Sequence, residues 1–68
     1  MPAMKAREAR RMLEQACEAR GWTALRGCAE IAISESTLRS WAKRPASRVN
    51  GAIEGAIRRL AAETEETK

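Results

Sequence analysis

Residues 24–43, ALRGCAEIAISESTLRSWAK, decide which fold this sequence predicts. Apolar residues recur there at helical spacing on both sides of a break at 32–34. Those residues are Leu25, Cys28 and Ile31 before the break and Leu38, Trp41 and Ala42 after it. Thr23 and Ser34 are residue types that cap helix N-termini. The stretch therefore predicts two short helices, at 24–31 and 35–43, joined by a turn of about three residues.

Two longer helices are predicted on either side of this unit. Residues 3–20 carry an apolar face with helical period, and Gly21 is a typical residue for ending a helix. The members of that face are Ala6, Ala9, Leu13, Ala16 and Cys17. Pro45 cannot continue the third helix, and residues 48–63 then predict a fourth with an apolar stripe.

The length and composition allow one domain with one small core. The chain has 68 residues and contains neither Phe nor Tyr, so the two tryptophans are its only large aromatic anchors. No strand alternation is visible. We therefore expect a single all-α domain over residues 1–63, followed by a frayed charged tail over 64–68.

The positive charge is concentrated in the part of the chain that contains the two short helices. The formal net charge is +4, and residues 1–44 hold nine Lys/Arg against five Asp/Glu, whereas residues 45–68 hold four of each. A local excess of this kind is typical of nucleic-acid binders, although alone it also describes a solvated, mildly basic surface.

Two cysteines and no histidine argue against a zinc site, which needs four close Cys or His ligands. Cys17 and Cys28 both fall on apolar helix faces, so we interpret them as small buried hydrophobic residues in a reducing cytosol. A disulfide between them is the alternative.

Other function classes find little support in the sequence. No run approaches the roughly 20 apolar residues that span a membrane, and no signal peptide is visible, so we expect a cytoplasmic protein. The absence of histidine and of paired carboxylates predicts that it is not an enzyme. We expect no cofactor, no metal and no small-molecule ligand.

The unit at 24–43 has the form of a helix-turn-helix, whose second helix enters the major groove of DNA. It resembles the helix-turn-helix of small phage and bacterial repressors of the Cro and lambda-repressor kind. The matching positions are the small Cys28, the aliphatic Ile31 and Ile33 around the turn, and the inner Leu38 and Trp41. The turn residue that this family usually fills with Gly is Ala32, a departure that places a side chain where the backbone is left-handed. The resemblance implies a lambda-repressor-like bundle of four to five helices.

Helix geometry then predicts which side chains meet DNA. With Leu38, Trp41 and Ala42 turned inward, the opposite face of the third helix points outward. We expect contacts with bases from Glu35, Ser36, Arg39 and Ser40, and contacts with phosphates from Arg26, Ser34, Lys43 and Arg44.

Each of these residues also has a plainer interpretation. Any of them alone fits a solvated surface, and Glu35 also favours the helix N-terminus electrostatically. Trp41 could serve as a base-stacking platform, although its phase with Leu38 favours burial. The arginines of the first helix could touch flanking phosphates or form only its wet face; they are Arg7, Arg10 and Arg11.

The sequence as a whole predicts a transcriptional repressor that binds an inverted repeat in double-stranded DNA as a homodimer. The dimer interface is expected on the stripe of the fourth helix, at Val49, Ile53, Ile57 and Leu60. Such a repressor could be a phage lysis–lysogeny regulator or an autoregulator of a small operon, such as an antitoxin or anti-CRISPR operon. The alternative is a helical protein-interaction module that uses its basic face without binding specific DNA.

Overall fold

The computed structural model describes residues 4–66, and the side chains of residues 4–63. Four helices follow one another: α1 (Ala6–Arg20), α2 (Ala24–Glu30), α3 (Glu35–Lys43) and α4 (Gly51–Glu66). Within residues 4–66 the only extended pairing is an isolated antiparallel bridge between Lys5 and Arg48. The all-α prediction is confirmed.

α1 is the central element of the fold, and each of the other three helices packs against it. Its buried face consists of the predicted residues Ala6, Ala9, Leu13, Ala16 and Cys17. Three of these are alanines, which allow neighbouring helices to approach closely. α4 contributes Ile57 and Leu60 to the core, and α3 contributes Trp41.

α1 begins at Ala6, three residues later than predicted, because the residues before it are bonded to the α3–α4 connection. The Val49 N–H donates to the Met4 carbonyl at 3.0 Å, and the Ala6 N–H donates to the Ser47 carbonyl at 2.8 Å. The Met4 N–H donates to Glu54 Oε1 at 2.7 Å, which lowers the pKa of that carboxyl. Met4 is only 1% exposed, so its side chain is part of the core.

α4 also begins three residues later than predicted. Asn50 Oδ1 accepts the Ala52 N–H at 2.8 Å, which satisfies one of the free donors at the start of a helix. Val49 therefore precedes α4 and is buried outside it. At its other end α4 continues to Glu66, beyond the predicted limit at 63, and residues 67–68 of the predicted tail lie outside the described residues.

The helix ends at Gly21 and Ala32 use the same hydrogen-bonded turn. After α1, the Trp22 N–H donates to the Cys17 carbonyl at 2.8 Å while Gly21 adopts φ +70°. After α2, the Ile33 N–H donates to the Cys28 carbonyl at 2.9 Å while Ala32 adopts φ +58°. Ala32 thus occupies the left-handed position at which glycine is normally preferred.

α1 and α2 cross at Gly27, where their backbones approach closely. A Cβ at this position would overlap Cys17 Sγ and lie 3.1 Å from Leu13 Cδ1. Cys17 and Cys28 are both buried and free, as predicted, and burial raises the pKa of each thiol. The glycine therefore sets the distance between the first two helices.

Candidate nucleic-acid interface

The orientation of α3 is fixed from its inner side and from its N-terminus. Trp41 is 5% exposed, which confirms that its indole points into the core. Ser34 caps the helix: its Oγ accepts the Thr37 N–H at 3.2 Å and lies 3.0 Å from the Thr37 hydroxyl. A helix held in this way presents a fixed set of side chains to solvent.

The outer face of α3 consists of residues that the sequence predicted there. All of its members are exposed: Glu35, Ser36, Arg39, Ser40 and Lys43. Ser34 and Arg44, which flank the helix, are exposed as well. The prediction that Ala42 faces inward was wrong, because this residue lies on the edge of α3 that borders a groove and is exposed.

Arg39 and Glu35 are joined on this outer face. Arg39 Nη2 donates to Glu35 Oε1 at 2.8 Å across one turn of the helix. Both side chains remain solvent-accessible, at 71% and 53%, and the hydrogen bond raises the pKa of Arg39. The carboxylate therefore restricts the directions in which the guanidinium can donate, and it neutralises much of the local field.

Arg26 at the start of α2 is also held by its neighbours. Thr23 Oγ1 accepts the Arg26 N–H at 3.2 Å, as the predicted cap requires. The Arg26 guanidinium lies over the Trp22 ring, 4.8 Å from its centroid, and Nε donates to Glu30 at 3.4 Å. Arg20 lies over the same ring at 4.9 Å. The predicted phosphate-binding arginine is thus stacked and paired, while its side chain stays more than half exposed.

A groove that the sequence did not predict runs between α1 and the end of α3. Two adjacent hollows form it, and both are lined by Arg7, Arg11 and Pro45. One of them is also lined by Trp41 and Ala42 of α3. We call this feature the basic groove. The sequence shows the arginines on the wet face of α1, but it cannot show that the connection after α3 folds back beside them.

Two predictions about apolar residues need correction. Leu25 was placed on the inner face of α2 but is 58% exposed, because the crossing with α1 is made by Gly27 and Cys28. The stripe proposed as a dimer interface lies largely inside the monomer: Val49, Ile57 and Leu60 are buried in the chain's own core. These three side chains are buried because they cover the face of α1, which consists largely of small alanines. Only Ile53 of the predicted set is partly exposed. Dimer formation itself stays a prediction.

Neither a metal centre nor a membrane segment is found in the described part of the chain. It contains no group of three or more His, Cys, Asp or Glu side chains that could hold a metal ion. None of its helices combines the length and apolar character that crossing a bilayer requires. Comparisons with protein-family models, with curated proteins and with solved structures find no match for this chain.

Proposed function

We propose that α2, the turn at 31–34 and α3 form a DNA-binding helix-turn-helix within a lambda-repressor-like bundle, and that the protein is a sequence-specific transcriptional repressor. The observation that carries this proposal is the outer face of α3. It is polar, exposed along its whole length, and held in place by a buried tryptophan and a capped N-terminus. A rigid helix of this kind is what major-groove recognition requires.

The proposed roles follow from position along α3. Arg39 lies at the middle of the outer face, and a guanidinium can donate two hydrogen bonds to guanine. Glu35, one turn earlier, holds the guanidinium in one direction and is itself placed to accept from a cytosine amino group. Ser36 and Ser40 contact bases or phosphates beside them, while Lys43 and Arg44 bind phosphates at the end of the helix.

The start of α2 supplies a second anchor on the DNA backbone. The Arg26 side chain lies there and is more than half exposed, and guanidinium groups are common ligands of DNA phosphates. The stacking of Arg26 on Trp22 limits its motion before DNA arrives, so less conformational entropy is lost on binding.

Two copies are proposed to act together on an inverted repeat. One helix of nine residues reads only a few base pairs, whereas two helices about 34 Å apart read successive major grooves. We assign the contact between copies to the outer side of α4, where Ile53 is partly exposed and the small Ala52 and Gly55 are exposed.

The test is selection of bound sequences from a library of random duplexes, followed by quantitative binding to the enriched site. The proposal expects an enriched inverted repeat whose half-sites are one helical turn apart, and two protein chains bound per site. An Arg39→Ala/Lys43→Ala variant should lose the preference while keeping its helical circular-dichroism spectrum. Selection that returns no preferred sequence would contradict the repressor function and favour the protein-interaction module.

A further inference from the structure

The basic groove carries positive charges that lie outside the outer face of α3 and have no role in the proposed reading of bases. Arg7 and Arg11 line both of its hollows and are exposed to solvent. The Arg7 N–H donates to the Pro45 carbonyl at 3.0 Å, which fixes the start of α1 against the turn that follows α3. The groove is therefore built by backbone contacts that do not depend on its charged side chains.

The arginines of the groove differ in their partners. Arg10 is paired with Glu14 at 3.1 Å, which removes both of these charges from the local balance. Arg7 and Arg11 have no hydrogen bond or ion pair with any described side chain, although Glu8 also lines the groove. Lys5 adds a further cation to the same lining, so positive charge is in excess there. Exposed cations without partners are the groups that attract polyanions.

The groove is continuous with the outer face of α3. Ala42 lines the groove, and Arg39 lies three residues before it, on the same side of the helix one turn earlier. Lys43 and Arg44, at the end of α3, have no described acidic partner either. A strand of DNA backbone that leaves the outer face of α3 toward α1 would therefore meet Arg7 and Arg11 next.

We propose that the basic groove is a phosphodiester-binding site, in which Arg7 and Arg11 contact the DNA backbone beside the base pairs that α3 reads. The inference rests on the proposed function for its ligand, but it concerns affinity rather than sequence preference. An acidic protein surface is disfavoured because the groove offers no large apolar anchor of the kind that dominates protein interfaces. Its exposed apolar residues are only Ala42, Pro45 and Ala46, and the Trp41 indole that also lines it is 5% exposed.

The experiment measures how binding to a generic, non-operator duplex depends on salt concentration. Each phosphate contact contributes about 0.9 to the slope of log affinity against log salt. The Arg7→Gln/Arg11→Gln variant should therefore bind generic duplex about tenfold more weakly, with a slope smaller by about 2 between roughly 50 and 200 mM salt. Both side chains are exposed, so the helical spectrum and thermal midpoint should stay unchanged.

The matched control is Arg48→Gln/Arg59→Gln, which removes two exposed positive charges that have no described acidic partner and line neither hollow of the groove. It should change the slope by less than half as much. Equal effects of the two pairs would overturn the site, because they would show that only net charge matters. An unchanged slope in the groove variant would overturn it as well, even if the wild type binds a specific operator.

The outcomes separate this site from the repressor function. If the wild type binds generic duplex and the groove variant lowers the slope, the site stands whether or not any sequence is preferred. If the wild type does not bind generic duplex at about 50 mM salt, the site is wrong. A groove variant that binds DNA normally but loses an acidic partner protein would assign the groove to protein recognition instead.

Discussion

The outer face of α3 and the basic groove both present arginines to solvent, but the one arginine of the outer face is ion-paired, whereas two of the three arginines of the groove are not. Arg39 is bonded to Glu35 at 2.8 Å, whereas Arg7 and Arg11 have no acidic partner among the described side chains. A paired guanidinium has a weak field at a distance and a defined direction at contact. An unpaired guanidinium attracts phosphates from a greater distance, but it does not distinguish one DNA sequence from another.

Under the proposed function, the placement of a few carboxylates would separate affinity from specificity within one small domain. Glu35 lies four residues before Arg39, and Glu14 lies four residues after Arg10, so in both cases helix spacing makes the pair. Arg7 and Arg11 are themselves four residues apart and leave the groove charged. On this view the groove brings the protein to DNA and α3 chooses the site.

The largest effect is expected from Trp41, because its side chain packs α3 onto the core and also lines the groove. Trp41→Ala should lower the free energy of unfolding by about 3–5 kcal/mol, as measured by urea denaturation. Both regions should lose DNA binding together. Trp41→Phe, which keeps a ring, should cost clearly less; equal losses for the two variants would contradict the packing role assigned to the indole.

A smaller effect, confined to α3, is expected from Arg39. Arg39→Ala should reduce discrimination at one base pair of the selected site by roughly 5- to 150-fold, because a bidentate contact is lost. Its salt slope should fall by no more than about 1, because a single positive charge is removed and Glu35 is left without its partner. Competition between the selected duplex and single-base variants measures this. A large change in salt slope with unchanged discrimination would reverse the contrast between α3 and the groove.

The turn between α2 and α3 allows stability to be changed without altering either set of cations. Ala32→Gly relieves the left-handed strain of a non-glycine residue, about 1–2 kcal/mol, and costs about 0.5–1 kcal/mol in backbone entropy. We expect a net gain of about 0.5–1 kcal/mol by thermal denaturation, with DNA binding unchanged.

The matched control is Gly21→Ala, which introduces the same strain at the end of α1 and should be destabilising by a similar amount. A loss of stability in Ala32→Gly would mean that the alanine methyl group itself stabilises the turn.

The smallest effect is expected from Glu35→Gln, which removes the acidic partner of Arg39 and so leaves this arginine unpaired, like Arg7 and Arg11 in the groove. Arg39 would then carry an unpaired charge, so affinity for generic duplex should rise two- to threefold and the salt slope should steepen. Discrimination at the contacted base pair should fall because the guanidinium is no longer oriented. The comparison variant is Glu30→Gln, which removes the acidic partner of Arg26 in α2. Unchanged generic affinity in Glu35→Gln would contradict the claim that Glu35 offsets the charge of Arg39.

Much of the fold could be predicted because local signals in this sequence agree with one another. Thr23, Ser34 and Gly21 mark helix ends by chemistry that acts over a few residues, and α3 occupies the predicted span 35–43. The inner position of Trp41 followed from its spacing with Leu38. Most of the outer face of α3 was therefore visible from the sequence alone.

The errors arose where distant segments meet. The start of α1 and the start of α4 are shifted by hydrogen bonds between residues far apart in the chain, such as Met4 with Val49 and Glu54. The stripe assigned to a dimer is needed to cover an α1 face made largely of alanine. The basic groove was missed for the same reason, since no local pattern shows that Pro45 lies beside Arg7.

The two tryptophans occupy contrasting environments, and the chain has no other aromatic side chain. Trp41 is buried in the core apart from the small part that lines the groove, whereas Trp22 is only partly covered and lies under the guanidinium groups of Arg20 and Arg26. The intrinsic fluorescence therefore contains two independent reporters. Emission from Trp41 follows loss of the packed interior, while emission from Trp22 follows events at the start of α2. Trp22→Phe and Trp41→Phe variants, which each keep one tryptophan and place a ring at the other position, would therefore distinguish melting from ligand occupancy without any attached dye.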